Sequence, residues 1–383
     1  MKRQSILIAH YRPDVVSGAE RAIADMVASL ESNLEITMLT PGPGPLADFY
    51  NKCGFQVWSE PVSTPRRLFP GLHRLQSLHM ADRMRSAGID AVICNTFAAA
   101  SRLGTASRMA GIPYAIYARE YISDKQLYRQ ILQKANLILA VSADVASHFR
   151  PLAGDTPVVV AYDNILIDPI RKRMADCERD GGRRLPFDNN EPVAGWVGRI
   201  TPYKQPELFL RAIPYIIDQV PRARFILVGE AKPKEKILED RLRELALELG
   251  ISDRLSFLGR RKDVPELMRE MSVLCLTSSR EPFARVILEA QVVGCPVVAP
   301  LSGGVPEVIQ DEVNGLMFDS VVPEAPELLA SRVVRLMENH QLAIRLAQRA
   351  SETVTDSYGS NRPVRDFEAI LTNLVQKGVP LAL

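Results

Sequence analysis

Hydrophobic residues occur along this chain in short continuous runs, and amphipathic segments separate one run from the next. Buried strands of parallel sheets show such runs, and the segments between them have the periodicity of helices. Seven runs come first, at 5–9, 35–39, 55–58, 90–94, 114–117, 137–141 and 158–161. Five more follow, at 193–197, 224–228, 255–258, 273–276 and 296–299. The two series predict an α/β fold with two Rossmann-like, doubly wound parallel-sheet domains.

A polar stretch rich in charged residues, Pro and Gly lies between the two series. This composition is typical of a surface linker. We therefore predict an N-terminal domain over residues 1–168, a linker over 169–191 and a C-terminal domain over 192–357. The segment 358–383 is predicted to be a helix that returns to the N-terminal domain.

Composition and charge narrow the class of protein. Of the 383 residues, 46% are apolar and 24% are charged, a balance that excludes a disordered chain. The 47 Lys and Arg against 45 Asp and Glu leave a net charge of +2, which is too small to recruit nucleic acid. The cysteines form no C-x-x-C motif, the histidines lack metal-ligand spacing, and no apolar stretch suits a signal peptide or a membrane span. These features predict a cytoplasmic enzyme without a bound metal.

The loop after the first predicted strand lacks the G-x-G-x-x-G pattern of a dinucleotide site. Instead, Ser17 and Gly18 open the first helix. A glycine there would let an anion approach the free N–H groups of the helix N-terminus. Simple capping of the helix by Ser17 explains the same residues.

Two cations follow the first strand of the second series. Arg199 lies at the carboxyl end of this strand, where open α/β sheets bind ligands, and Lys204 comes five residues later. Arg can hold a phosphate through several donors, and Lys adds a point charge. The alternative is a pair of solvated surface cations.

Glu281 and Glu289 flank the start of a helix predicted over 283–293. Eight steps of helical rise would separate them by ~12 Å, more than the ~5–9.5 Å of a hydrolytic carboxylate pair. This spacing suits two ends of one elongated ligand that carries hydroxyl groups, with the amides of 283–286 between them. Alternatively, the first Glu only compensates the helix dipole.

A Gly-rich turn, Ser302-Gly303-Gly304-Val305-Pro306-Glu307, follows the last predicted strand. Taken in order, Gly198-Arg199 with Lys204, the segment 281–290 and this turn resemble the motifs of the family 4 glycosyltransferases. The resemblance covers nearly the whole chain. It implies the GT-B architecture, in which two domains face each other across a cleft. It also implies transfer of a sugar from a UDP- or GDP-sugar, with retention of anomeric configuration.

The resemblance also implies roles for individual residues. The catalytic residues would be Arg199 and Lys204, which hold the diphosphate, and Glu281, which contacts hydroxyls of the donor sugar. Glu289 would bind the ribose, and Gly18 would present its amide to the phosphate. Further backbone donors would come from Phe283, Ala284, Arg285 and Val286. The nucleotide sugar would be a substrate, and neither a cofactor nor a metal would be required, because positive charge is already fixed at the diphosphate.

One position departs from the family pattern. Members often carry a histidine near the fifth strand, and this chain has Arg119 and Glu120 there. We expect these two residues to face the acceptor or the donor sugar. Because this histidine is missing, a catalytically silent subunit that binds a sugar nucleotide remains one alternative function. The second alternative is another GT-B enzyme, such as a nucleotide-sugar epimerase.

The acceptor side is predicted from residues 66–85, which contain five Arg and one Asp. Leu72, Leu75, Leu78 and Met84 recur there near helical spacing. They form either the buried face of an ordinary amphipathic helix or a basic, apolar edge against anionic lipid. The second interpretation predicts peripheral contact with the inner face of the membrane. It also predicts a saccharide or lipid-linked saccharide acceptor, as in cell-surface or exopolysaccharide synthesis.

Overall fold

The computed structural model describes residues 3–12, 18–31, 34–60, 70–180, 185–188, 191–359 and 361–377. The chain divides into two compact units. The first unit comprises Met1–Ile165 together with Ser360–Leu383, and the second comprises Leu166–Gly359. Each unit is built around one parallel β-sheet.

The sheet of the first unit has seven strands, paired in parallel. They are β1 (Gln4–Ala9), β2 (Leu34–Thr40), β3 (Gln56–Ser59), β4 (Ala91–Cys94), β5 (Tyr114–Ala118), β6 (Leu137–Ala140) and β7 (Val158–Val160). Their order is β3-β2-β1-β4-β5-β6-β7. The central strands β4, β5 and β6 are buried along their whole length, as their continuous apolar sequences predict.

Helices connect these strands. Within the described ranges they are α1 (Gly18–Ala28), α2 (Pro45–Lys52), α3 (Pro70–Ser86), α4 (Phe97–Ala110), α5 (Gln126–Leu132) and α6 (Ala143–Ala153). The helices after β4 and β6 begin directly behind the strand, because the hydroxyls of Thr96 and Ser142 accept hydrogen bonds from the amides of Ala99 and Val145.

The C-terminal helix α14 (Asn361–Lys377) packs in the first unit. The ring of Phe367 stacks on Tyr117 of β5, with 6.0 Å between the centroids. The apolar side of α14 is buried and consists of Val364, Phe367, Ile370, Leu371 and Leu374. This burial explains why the C-terminal segment belongs to the first unit, although the whole second unit separates it in sequence from the rest of that unit.

The sheet of the second unit has six strands, also parallel. They are β8 (Val193–Val197), β9 (Arg224–Val228), β10 (Leu255–Gly259), β11 (Val273–Cys275), β12 (Val297–Pro300) and β13 (Leu316–Phe318). Their order is β10-β9-β8-β11-β12-β13. In both sheets the order reverses beside the first strand, so two doubly wound Rossmann-like sheets are confirmed.

The helices of the second unit, within the part of the chain described, cover both faces of its sheet. They are α7 (Ile167–Asp180), α8 (Pro206–Gln219), α9 (Ile237–Glu248), α10 (Val264–Glu270), α11 (Arg285–Val292), α12 (Ala325–Glu338) and α13 (His340–Ser357). No helix in the described ranges combines the length and apolar character needed to cross a membrane.

Helix α7 occupies part of the segment 169–191, for which the sequence predicts a linker. One of the charged residues that suggested a linker, Arg173, serves helix packing instead. Arg173 on α7 lies 2.7 Å from both carboxylate oxygens of Glu266 on α10, and its Nη2 also donates to the carbonyl oxygen of Lys262 at 2.9 Å. Two further elements were not predicted, the helix α2 and the strand β13, whose three residues are too few to show a pattern.

Candidate functional site

The loops after β8 and β11 leave the second sheet at its switch point. These two strands are hydrogen-bonded neighbours, although β9 and β10 separate them in the chain. Arg199 and Lys204 follow β8, and Glu281 follows β11. The three predicted catalytic residues therefore lie at the sheet edge where doubly wound folds bind ligands.

Lys204 and Glu281 form a buried ion pair. Nζ lies 2.6 Å from Oε2, and the two side chains are 13% and 9% exposed. Burial by itself lowers the pKa of Lys204, but the Glu281 carboxylate and the Tyr203 hydroxyl raise it, and the net pKa is above its ordinary value. Lys204 therefore stays protonated at neutral pH.

A buried threonine holds the turn that carries Lys204. The hydroxyl of Thr277 accepts a hydrogen bond from Nε1 of Trp196 at 2.9 Å. It lies 2.8 Å from the carbonyl oxygens of both Lys204 and Gln205, to which it donates. The turn after β8 is thus tied to the end of β11, which fixes the backbone from which the Lys204 side chain extends.

The Gly-rich turn packs against the backbone of Glu281. Gly303 has a φ of +60°, and a Cβ there would lie 2.4 Å from the carbonyl oxygen of Glu281. The amide of Gly304 donates to the same oxygen at 2.7 Å. Only glycine permits this approach in the left-handed region. The turn therefore holds the backbone of Glu281, whereas Lys204 pairs with its side chain.

Helix α11 begins at Arg285, later than the helix predicted from residue 283. Residues 281–284 are not helical, so the ~12 Å separation derived from eight helical steps does not apply. Glu289 lies on α11, with Oε1 3.5 Å from Nε of Arg285. The two glutamates are thus carried by different kinds of local structure, one by a loop and one by a helix.

Phe283 anchors the segment before α11. Its ring packs edge-on against Tyr358, with 5.5 Å between centroids, and the Tyr358 hydroxyl donates to the carbonyl oxygen of Glu307 at 2.7 Å. Phe283 and Ala284 are buried, whereas Arg285 and Val286 are half-buried. The side chain of Phe283 therefore serves packing, and any ligand contact of this residue falls to its backbone.

Arg199 is half-buried beside this arrangement. Its Nε is buried and has no hydrogen-bond partner among the described residues, and the same holds for the hydroxyl of Ser278. A buried polar group without a partner costs about 1–3 kcal/mol. An anionic or hydroxyl-bearing ligand at this edge would supply the missing partners.

Two of the residues predicted to bind substrate in the first unit, Gly18 and Glu120, are exposed. Gly18 begins α1, and a Cβ there would meet no atom within 4 Å. Glu120 is exposed just after β5. Ser17 lies outside the described residues.

Arg119 is held inside the first unit by buried partners, and its contact with the acceptor or the donor sugar stays a prediction. Its Nη1 lies 2.6 Å from both carboxylate oxygens of Asp163, and its Nε donates to Oδ1 of Asn95 at 2.9 Å. The guanidinium also lies 3.8 Å from the ring centroid of Tyr117, and the side chain is 5% exposed. The buried carboxylate of Asp163 draws this cation inward.

Sequence reasoning missed Thr277 as part of the site. Its position directly after a predicted strand, at the carboxyl edge of the sheet, was the available signal. As for metals, the described ranges contain no group of three or more His, Cys, Asp or Glu side chains that could hold an ion.

Two family models match the chain. The model described as Glycosyltransferase Family 4 matches residues 16–163, and the model described as Glycosyl transferases group 1 matches residues 182–353. The first match lies in the first unit and the second match in the second.

Curated relatives match over part of their length. The D-inositol 3-phosphate glycosyltransferase of Corynebacterium efficiens is 27% identical over 261 residues, which cover 65% of this chain and 60% of the relative. The N-acetyl-alpha-D-glucosaminyl L-malate synthase of Bacillus anthracis is 24% identical, with 65% of this chain and 63% of the relative covered. The aligned segments therefore span less than two thirds of these relatives.

Solved structures match over almost the whole chain. Anabaena HepE in complex with UDP and glucose superposes with a TM-score of 0.80 at 23% identity, covering 97% of this chain and 100% of that one. The sucrose-phosphate synthase of Thermosynechococcus elongatus gives a TM-score of 0.76 at 16% identity, covering 97% and 99%. At these identities the likeness shows the fold, which is GT-B. Fold and family matches agree, and the chain belongs to the family 4 glycosyltransferases.

Proposed function

We propose that this protein is a retaining glycosyltransferase that moves a sugar from a UDP- or GDP-sugar to an acceptor hydroxyl. The observation that carries the proposal is the arrangement at the switch point of the second sheet. A protonated Lys204 is paired with Glu281, and Arg199 beside them has a buried Nε without a partner. This is a fixed set of donors for an anion.

The leaving nucleoside diphosphate carries the charge that grows in the transition state. Arg199 and Lys204 stabilise this charge, and donors already in place do so without reorganisation. Glu281 accepts hydrogen bonds from hydroxyls of the donor sugar. Glu289 accepts from the ribose, and the backbone amides of Phe283, Ala284, Arg285 and Val286 bind oxygens of the sugar and phosphate. In the first unit, Gly18, Arg119 and Glu120 remain predicted contacts.

We propose that the reaction needs neither a cofactor nor a divalent metal, because Arg199 and Lys204 supply the charge that a metal supplies elsewhere. Turnover is then expected to survive EDTA. A UDP-sugar donor is supported by the UDP and glucose bound in the HepE structure. A GDP-sugar remains in the proposal, since the residues above act on parts that both donors share.

For the acceptor we propose a saccharide or a lipid-linked saccharide, used in cell-surface or exopolysaccharide synthesis at the cytoplasmic face of the membrane. The names of the curated relatives add inositol 3-phosphate and L-malate as small acceptors that deserve a place in the assay.

Incubation of the full chain with labelled UDP- and GDP-sugars, with and without these acceptors, tests the proposal. Release of the nucleoside diphosphate with a new glycoside of retained configuration supports it. Binding without turnover would favour a silent sugar-nucleotide-binding subunit. A changed sugar that stays on its nucleotide would favour an epimerase.

A further inference from the structure

Helix α3 exposes leucines and buries polar residues. Leu72, Leu75 and Leu78 are 46%, 67% and 48% exposed. Its buried side consists of His73, Ser77, Met80, Ala81 and Met84. An ordinary amphipathic helix would bury its leucines first. Packing on its own sheet therefore does not explain them, and Met84, which the sequence grouped with them, lies on the opposite side.

The three leucines form one continuous strip. They are spaced three residues apart, so they fall on successive turns and span about 9 Å along the helix. Scattered exposed leucines are normal, but a contiguous apolar strip marks a surface that another phase or molecule covers. We call Leu72, Leu75 and Leu78 the leucine strip.

The charge around the leucine strip is positive. Arg74 is exposed between the leucines, and residues 66–85 contain five Arg, two of them Arg66 and Arg67, against one acidic residue, the exposed Asp82. Residues 61–69 lie outside the described ranges, so Arg66 and Arg67 count here as sequence only. Further along α3, Arg83 packs over the Trp58 ring and Arg85 donates to backbone carbonyls, so both are held against the unit.

The leucine strip lies towards the edge of the first sheet at which a ligand is expected. Helix α3 ends shortly before β4, so its C-terminus lies at the amino edge of the parallel sheet and its first turns lie towards the carboxyl edge. That is the edge at which doubly wound sheets bind ligands. A surface bound here would bring a lipid-linked acceptor to the first unit.

We propose that the leucine strip, with Arg74, docks the protein reversibly on an anionic lipid bilayer. Leucines enter the boundary between headgroups and acyl chains, and cations beside them pair with anionic headgroups. A protein partner would meet the same leucines, yet the exposed Arg74 between them and the excess of five Arg over one Asp in residues 66–85 fit a uniformly negative surface best. This inference deepens the proposed function and rests on it only for the identity of the acceptor.

Sedimentation with vesicles tests the docking without any turnover. The full chain is mixed with phosphatidylglycerol–phosphatidylcholine vesicles or with pure phosphatidylcholine vesicles. We expect the protein to pellet with the first at low salt, to stay in the supernatant with the second, and to be released at 1 M salt, where the Debye length falls to about 3 Å. Equal binding to both lipids, or none to either, would overturn the proposal.

Variants assign the binding to the strip. The triple variant Leu72→Ser, Leu75→Ser and Leu78→Ser should weaken vesicle binding by at least about tenfold, since each substitution removes apolar area that the bilayer would cover. The control is Leu247→Ser on α9, where a leucine is 70% exposed outside the strip. Arg74→Glu should also weaken binding, whereas Arg211→Glu, an equal change of charge at an exposed position on α8, should not. If the controls weaken binding as much as the strip variants, the strip is not the docking surface.

Two further results separate the outcomes. Dimerisation of the wild type in solution that the strip variants abolish would assign the leucines to a protein interface instead of a bilayer. Turnover on a water-soluble acceptor should stay unchanged in the strip variants. Loss of lipid binding with full turnover therefore contradicts nothing in the proposed chemistry, and a protein that binds vesicles but transfers no sugar overturns only the proposed function.

Discussion

The Nζ of Lys204 lies 2.6 Å from Oε2 of Glu281, although 77 positions separate the two residues in the chain. Their meeting follows from the parallel sheet, because neighbouring strands β8 and β11 release both loops at one edge. The ion pair also allows the Lys204 cation to be buried, because the Glu281 carboxylate compensates its charge. The diphosphate that we propose as the ligand would therefore find this positive charge already in position.

Replacement of Lys204 tests this arrangement. We expect Lys204→Ala to lower turnover by about 10²–10³, the cost of losing one donor to a developing anion. It also removes the buried cation that faces the Glu281 carboxylate, which should destabilise the second unit by ~3–5 kcal/mol. Steady-state kinetics and thermal unfolding measure the two effects. Adding Glu281→Gln should restore stability but not turnover, and wild-type turnover by Lys204→Ala would refute its role.

Thr277 acts on the reaction through Lys204 and is a positioning residue. Thr277→Val keeps the volume but removes the hydroxyl that binds the carbonyl oxygens of Lys204 and Gln205. We expect kcat to fall by about 10–100-fold while KM changes little, since small displacements of a catalytic group have effects of this order. Thr277→Ser retains the hydroxyl and should recover most of kcat. A loss of stability without a change in kcat would leave Thr277 a purely structural role.

A methyl group at Gly303 should displace Glu281. The new Cβ would lie 2.4 Å from the Glu281 carbonyl oxygen, so the backbone must move. The left-handed φ alone costs about 1–2 kcal/mol. Gly250→Ala provides the control, because Gly250 has a φ of +66° but nothing within 4 Å of its added Cβ. We expect both variants to lose stability in urea unfolding and only Gly303→Ala to lose turnover as well.

The sequence predicted the strands well and the roles of individual side chains less well. Continuous apolar runs such as 114–117 indicate a buried parallel strand directly, because both faces of the sheet are covered. Helical spacing at Leu72, Leu75 and Leu78 predicted a helix, but left open whether their side would be buried or exposed. That outcome depends on what His73 and Ser77 meet inside the unit, which periodicity does not encode.

The candidate site shows the same limit. Arg199, Lys204 and Glu281 could be placed at one edge from strand order alone. Arg119 could not, because its partner Asp163 lies 44 positions away and beyond two further strands. The sequence shows only a charged side chain near a strand end, and the structure adds that the buried carboxylate of Asp163, near the end of another strand, binds it.

His10 should make the stability of the first unit depend on pH. Burial, followed by the nearby charge of Arg119, lowers the pKa of His10 from 6.5 to about 3. The folded state therefore keeps His10 neutral where the unfolded chain binds a proton. The contribution of neutral His10 to the free energy of unfolding is fully present above pH 6.5. It is lost as the pH falls towards 3, by up to about 1.4 kcal/mol per pH unit. Urea unfolding of His10→Gln across this range should show a shallower slope, and an unchanged slope would contradict the assignment.

The C-terminal helix should stabilise the first unit through Phe367. Its ring is fully buried and stacks on Tyr117, so Phe367→Ala should cost ~3–5 kcal/mol, and Phe367→Leu less, because a smaller cavity remains. The chain offers a reporter for each unit, since Trp58 lies in the first and Trp196 in the second. In a Trp196→Phe background, the fluorescence of Trp58 follows the first unit alone. We expect its transition to move to lower urea in Phe367→Ala, while a Trp58→Phe background reports a second unit that unfolds nearer its original midpoint. Equal shifts of both transitions would mean that Phe367 stabilises the whole chain and not the first unit in particular.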